Sequence, residues 1–192
     1  MLDDRLKLFA MTNLMFEEDI KGIERQFDCN LRLKSRIDTE KDNIYYPQFD
    51  EDVRIEAASM ARHYEVFYCL EKTIREFIRD RLYDAKGGAW WEECVPPEVQ
   101  QSVEKNITKE MDAAVTLRSK ENIDYTTFGQ LSDIIIFNWT IFGDTFNSKK
   151  GLQKVFANLN VLRGPIAHCS PLQEREVLRL RLTIEDWFTL ME

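Results

Sequence analysis

The chain is poor in residues that break helices, with seven glycines and five prolines among 192 residues. An all-β fold needs frequent turn signals, so this scarcity favours long helices. Histidine is scarcer still, at two copies, and the four cysteines (Cys29, Cys69, Cys94 and Cys169) are scattered. No two of them have zinc-ligand spacing, and two histidines do not complete a typical finger, so reduced thiols are expected. Long apolar runs are missing as well. The greasiest stretch, IIIFNWTIF at 134–142, falls far short of the about 20 residues a bilayer span needs. The opening MLDDRLKLFA lacks the basic and apolar regions of a signal peptide. These absences predict a soluble cytoplasmic protein, with no membrane contact, no metal and no cofactor.

What is present is enough apolar material for a core, at 44% of residues, and an excess of acid. Net charge is −8, from 34 acidic against 26 basic residues. An acidic surface does not gather polyanions globally, which weighs against a simple nucleic-acid-binding module. It leaves room for an enzyme that meets RNA at one cleft.

Apolar periodicity predicts helices throughout. The first covers 2–27, and the polar stretch 28–52, broken at Pro47, reads as a connector. A long helix from about Val53 to Asp84 carries Met60, Tyr64, Phe67, Ile74 and Ile78 on one face and ends at Gly87-Gly88. AWWEECVPPE reads as a loop, and Pro96-Pro97 opens a helix to about Leu117. Another is expected over about Tyr125–Phe142, although DIIIF alone also fits a strand. Gly151–Leu162 buries Leu152, Val155, Phe156, Leu159 and Leu162. A last helix over 171–191 turns Val177, Leu180, Ile184, Trp187, Phe188 and Met191 inward, started by Pro171 and a Ser170/Gln173 capping box. The architecture is an all-α bundle, with an N-terminal helical arm and connector over 1–52 and a main helical domain over 53–192.

Before the last helix stands NLNVLRGPIAHCSPL, which places Arg163 and His168 five residues apart. On an unbroken helix they would point about 140° apart. Pro165 disfavours the helical conformation at Gly164, so a kink is expected that lets the two side chains converge. An imidazole that takes a proton from a ribose 2′-hydroxyl, beside a guanidinium that holds phosphate oxygens, is a pair suited to cleaving RNA. On spacing alone the blander account stands ahead: Arg and His near a helix C-terminus usually cap carbonyls.

The segment LNVLRGPIAHCSPL, followed by a helix ending IEDWFTLM, resembles the HEPN superfamily, whose hallmark is R-x4–6-H in a helical bundle. ARHYEVFYCLEKTIREFIRDRL at 61–82 resembles an earlier helix of that fold. The likeness covers roughly 53–192 and is nearest to HEPN modules found beside nuclease domains and in prokaryotic defence proteins. It implies a HEPN-type bundle with an N-terminal helical extension, and a metal-independent endoribonuclease of toxin or defence type. It also implies a homodimer in which two such elements face each other across a cleft that takes RNA. By this resemblance His168 activates the 2′-hydroxyl or protonates the leaving group, and Arg163 stabilises the phosphorane. An antitoxin or sensor partner is a further implication. Gly164 stands where many active members carry Asn or Asp, and Ser170 where members silenced by nucleotidylation carry Tyr. The alternative reading is a non-catalytic HEPN interaction module or a nucleotide- or RNA-binding module.

Two residues are candidates to support the pair. Glu71 interrupts an apolar face, and a carboxylate there needs a partner. It either orients Arg163 or His168, or pairs with Arg75, Lys72 or Arg62. Asn160, one turn before Arg163, either holds the guanidinium or is a plain surface amide. His63 is expected at the surface or half buried. The aromatic AWW and IIIFNWTIF stretches are expected in the core or a dimer interface, and Arg62, Arg75, Arg79 and Arg81, interleaved with acids, on a solvated face.

Overall fold

The structure, a computed structural model, describes residues 48–191 and, upstream, Ile23, Gln26 and Phe27, which are helical. The rest of the helix expected over 2–27, and most of the connector, lie outside the described residues. The chain divides into two compact units, residues 1–54 and 55–192, and the motif lies in the second.

Within residues 48–191 seven α-helices follow one another: α1 (Glu51–Lys86), α2 (Trp90–Cys94), α3 (Pro97–Asp112), α4 (Phe128–Phe137), α5 (Trp139–Phe142), α6 (Lys149–Ala167) and α7 (Glu174–Thr189). Short 3-10 turns cover Gly87–Ala89 and Asn122–Tyr125, and the described residues contain no strand. The fold is all-α. DIIIF is helical, as part of α4, whose start is fixed by a capping box between Thr127 and Gln130.

In α1 the buried stripe is His63, Phe67, Leu70, Ile74, Ile78 and Leu82, spaced three and four apart. Tyr64, expected inward, faces solvent, and His63 takes the seam one position earlier. The helix ends at Lys86 because Gly87 adopts φ +61°, a conformation with no steric cost only for glycine. Proline opens α3, which stops at Asp112 rather than near Leu117. Met111, Val115 and Leu117 are all exposed, so no buried face holds further turns.

The helix expected over 125–142 is divided at Asn138. Its buried amide nitrogen donates to the Ile134 carbonyl at 2.8 Å and to the Cys94 carbonyl at 2.6 Å. A side chain that competes for backbone partners in this way interrupts the helical ladder, and here it ties α4 and α5 to the end of α2.

All five apolar positions expected on the inner face of α6 are buried. They meet α1, α4 and α7 around a chain of touching rings. Phe67 packs on Phe128 at 5.8 Å, Phe128 on Phe156 at 5.2 Å, Phe156 on Trp187 at 5.6 Å and Trp187 on Phe146 at 5.3 Å. Leu180, Thr183 and Trp187 make the buried side of α7, whereas Phe188 faces outward.

The helix is not kinked apart at Gly164-Pro165. α6 runs through both residues to Ala167. Pro165 has no N–H for the carbonyl of Val161, which sits at a position 74% exposed, where water can replace the bond. Gly164 has no Cβ to meet the proline ring. The ending comes after His168: Cys169 turns to φ 54°, and Ser170 N–H donates back to the Pro165 carbonyl at 2.9 Å, as in a Schellman ending. With Ser170 used in this way, α7 begins at Glu174 behind Gln173, which makes no side-chain cap.

His63, 8% exposed, is more deeply buried than its sequence context implies. Burial, with Arg62 adding to it, holds its pKa below the ordinary histidine value. A base whose folded pKa is depressed contributes fully above its unfolded value of about 6.5 and loses that contribution as pH falls toward the folded value. Urea denaturation is therefore expected to show stability falling as pH drops below about 6.5, with the slope in this window reduced in His63→Gln. Parallel profiles for the two proteins would contradict this.

Candidate active site

The site begins with two neighbouring rows on α1. One row is Phe67, Glu71 and Arg75; the other is Tyr64, Tyr68 and Lys72, each spaced by four, the interval that stacks side chains on one helix face. The first row borders the core and the second faces solvent.

Glu71 is where α1 meets α6. Its Oε2 accepts from Arg163 Nε at 3.2 Å and its Oε1 accepts from Arg75 Nη2 at 2.5 Å. Side-chain exposure is 13% for Glu71, 15% for Arg75 and 41% for Arg163. One carboxylate thus holds two guanidiniums, one set in the structure and one facing outward. Arg75 goes further. It donates to the carbonyls of Ile123 at 3.2 Å and Thr126 at 2.9 Å, which fastens the segment between α3 and α4 to α1. Asn106 donates to the Tyr125 carbonyl at 3.1 Å and adds a second tie from α3.

These elements enclose an open pocket of about 370 Å³. Its walls include Tyr64 and Tyr68 on α1, Arg118 and Tyr125 between α3 and α4, and Arg163 and Ile166 on α6. Arg118 lies over the Tyr125 ring at 5.0 Å and pairs with Glu110. The Arg118 guanidinium holds the Glu110 carboxyl below the usual carboxylate range.

Glu71 and Arg163 therefore come together, as one of the two readings of Glu71 expects, and Arg75 completes the other at the same time. His168 and Asn160 do not line this pocket. Both are exposed, and His168 forms the C-terminal cap of α6. Because α6 is unbroken, His168 projects about 140° around the helix from Arg163, and no hydrogen bond joins them among the described residues. Arg118, Asn106 and Tyr125 carried no sequence signal, since folding alone brings their segment to α1. The Tyr64–Tyr68–Lys72 row escapes the sequence reading, which places Tyr64 on the buried face; its i, i+4 spacing is the signal that points to it. Among the described residues, no group of three or more His, Cys, Asp or Glu side chains is placed to hold a metal ion. No helix among them is long and apolar enough to cross a membrane.

Residues 65–192 match the Swt1-like HEPN family, from within α1 through the motif and α7. The chain belongs to that family. Membership supports a nuclease- or RNA-related module in general terms. No curated protein and no solved structure matches the chain. In this Swt1-like HEPN domain, R-x4-H is Arg163 and His168, with Gly164 after the arginine.

The bridge makes unequal demands on its members. Removing Glu71 leaves a half-buried arginine beside a second cation, whereas removing Arg163 leaves Glu71 still paired with Arg75. Glu71→Ala is expected to cost about 1–3 kcal/mol in chemical denaturation and Arg163→Ala less than about 1 kcal/mol. Equal losses would show that Glu71 does not depend on both partners as described.

Proposed function

We propose that this Swt1-like HEPN protein is a metal-independent endoribonuclease of toxin or defence type, active in the cytoplasm as a homodimer. The observation that supports it most is Arg163: Glu71 pairs with it, yet its side chain is 41% exposed and lines an open pocket. A guanidinium held in this way offers its remaining donors to phosphate oxygens without reorganising as charge develops.

His168 supplies the proton chemistry. It takes the proton of the ribose 2′-hydroxyl, whose oxygen attacks phosphorus while the bond to the 5′-oxygen breaks. A second histidine gives a proton to that leaving oxygen. The products are a 2′,3′-cyclic phosphate and a 5′-hydroxyl, with atoms and charge balanced. Within one protomer Arg163 and His168 diverge along α6, so the working set is assembled across a twofold axis from two copies of the motif. Exposed apolar residues on α6 and α7 support such a contact: Val161, two residues before Arg163, and Leu178 and Leu182 on α7. An antitoxin or sensor partner that covers this surface is the simplest restraint on such a nuclease.

A second reading has its own observation. Arg163 already carries a carboxylate partner in Glu71, which reduces the charge it presents to a phosphate, as suits a non-catalytic interaction or RNA-binding module.

Incubation of the purified protein with RNA in excess chelator is expected to give cleavage with 2′,3′-cyclic phosphate ends. His168→Ala is expected to abolish cleavage while melting within about 0.5 kcal/mol of wild type, since the side chain is exposed. Cleavage by His168→Ala at the wild-type rate would end the catalytic reading, and activity that needs added magnesium would end its metal independence.

Sedimentation at micromolar concentration is expected to give the mass of a dimer, and Val161→Glu to shift it to a monomer with loss of cleavage. A wild-type monomer that cleaves RNA would contradict the composite site.

A further inference from the structure

The pocket beside Arg163 extends well past the guanidinium, and its composition departs from the rest of the molecule. The chain carries a net charge of −8. The pocket lining instead holds four cations, Lys72, Arg75, Arg118 and Arg163, against two carboxylates, Glu71 and Asp124. Two more acids stand at the rim as partners, Glu110 of Arg118 and Glu76 of Lys72, so the cleft with its rim is balanced in charge where the chain as a whole is acidic. The cleft that contains the motif arginine is thus lined by an excess of cations on a chain that is acidic overall.

Its outer wall is aromatic. Tyr64 and Tyr68 are 60% and 59% exposed, with ring centroids 6.2 Å apart. Burial does not explain two large rings left side by side in water, and neither phenol is tied into the core. Lys72 follows Tyr68 by one turn on the same row, about 6 Å further along the helix axis. Arg118, from the segment between α3 and α4, lines the same pocket. Exposed rings that alternate with cations along a groove are the arrangement that holds a single nucleic-acid strand: bases stack on the rings, and phosphates meet the cations. A base within a duplex has both faces covered by its neighbours and offers no free face to Tyr68.

We infer that Tyr64, Tyr68, Lys72 and Arg118 form a subsite for an unpaired nucleotide next to the phosphate at Arg163, and so select single-stranded RNA as the substrate class. The inference rests on the RNA-cleaving reading proposed above and deepens it. The base of the flanking nucleotide lies on the Tyr68 ring, with Tyr64 beside that ring at a 39° tilt, and the adjoining phosphate lies between Lys72 and Arg118. Stacking accepts every base, so the subsite distinguishes unpaired from paired RNA rather than one sequence from another.

The test separates binding from cleavage. The full chain is titrated with a fluorescent single-stranded oligonucleotide whose 2′-hydroxyls are all methylated, so that it cannot be cut, and with the same strand annealed to its complement. Wild type is expected to favour the single strand. Tyr68→Ala is expected to weaken that binding by about five-fold or more, the loss that follows removal of one base–aromatic stack. Tyr68→Phe keeps the ring and is expected to bind as wild type does. Lys72→Ala is expected to weaken binding through loss of a phosphate contact. Both tyrosines are exposed, so thermal melts of the variants should match wild type. Equal binding of single strand and duplex, unchanged binding by Tyr68→Ala and Tyr64→Ala, or no oligonucleotide binding at all overturns the subsite, even if wild type cleaves unmethylated RNA. Ring-dependent binding by a protein that cleaves no RNA supports the subsite and overturns the endoribonuclease reading instead.

Discussion

A single carboxylate organises the pocket between α1, α6 and the segment that joins α3 to α4. Glu71 lies at the border between the core stripe of α1 and its wet face, where an unpaired charge is costly. Two guanidiniums satisfy it, and each does something different. Arg75 is nearly enclosed and passes the constraint on to the Ile123 and Thr126 carbonyls. Arg163 is left half open. The same residue that fastens one pocket wall therefore aims the group that faces the cavity, so pocket shape and arginine direction are not independent variables.

Support for this bridge comes from the core behind it. The buried rows of α1 and α6 are locked together through Phe67, Phe128 and Phe156, whose rings touch in sequence. That contact sets how far the two helix axes stand apart, and so whether a glutamate on one reaches an arginine on the other. Close-packed interiors hold such separations to a fraction of an ångström, which suits a salt bridge with distances of 2.5 and 3.2 Å to its two partners.

The amino-acid sequence discloses the helices best where one face is wholly apolar. On α6 the repeat is strong enough to name every buried residue, and Gly87 marks the end of α1 because its backbone conformation favours glycine. Glu71 is legible for the opposite reason, as a charge where an apolar residue belongs. What misleads is local chemistry that tertiary packing outweighs. Pro165 reads as a break, yet the helix continues, since its lost hydrogen bond falls on the solvent side and the residue before it has no side chain. Ser170 reads as a cap for α7, but its N–H is already engaged by the end of α6. Tyr64 and His63 exchange places because adjacent positions differ by only about 100°. The walls supplied by Asn106, Arg118 and Tyr125 are not legible, because contacts across tens of residues leave no trace in spacing.

The cations lining the pocket also bear on how the proposed polyanion arrives. Proteins that bind nucleic acid through a broadly basic surface capture it anywhere and then slide, and salt weakens them steeply. Here the net negative charge of the chain opposes such a strand, and the cations lining the pocket offset that repulsion locally. Added salt screens both effects, since charges more than about 8 Å apart are largely uncoupled at physiological ionic strength. Repulsion over the outer surface and attraction at the mouth then fade together. Under the proposed binding, the dependence of association on ionic strength is flatter than the number of pocket cations implies.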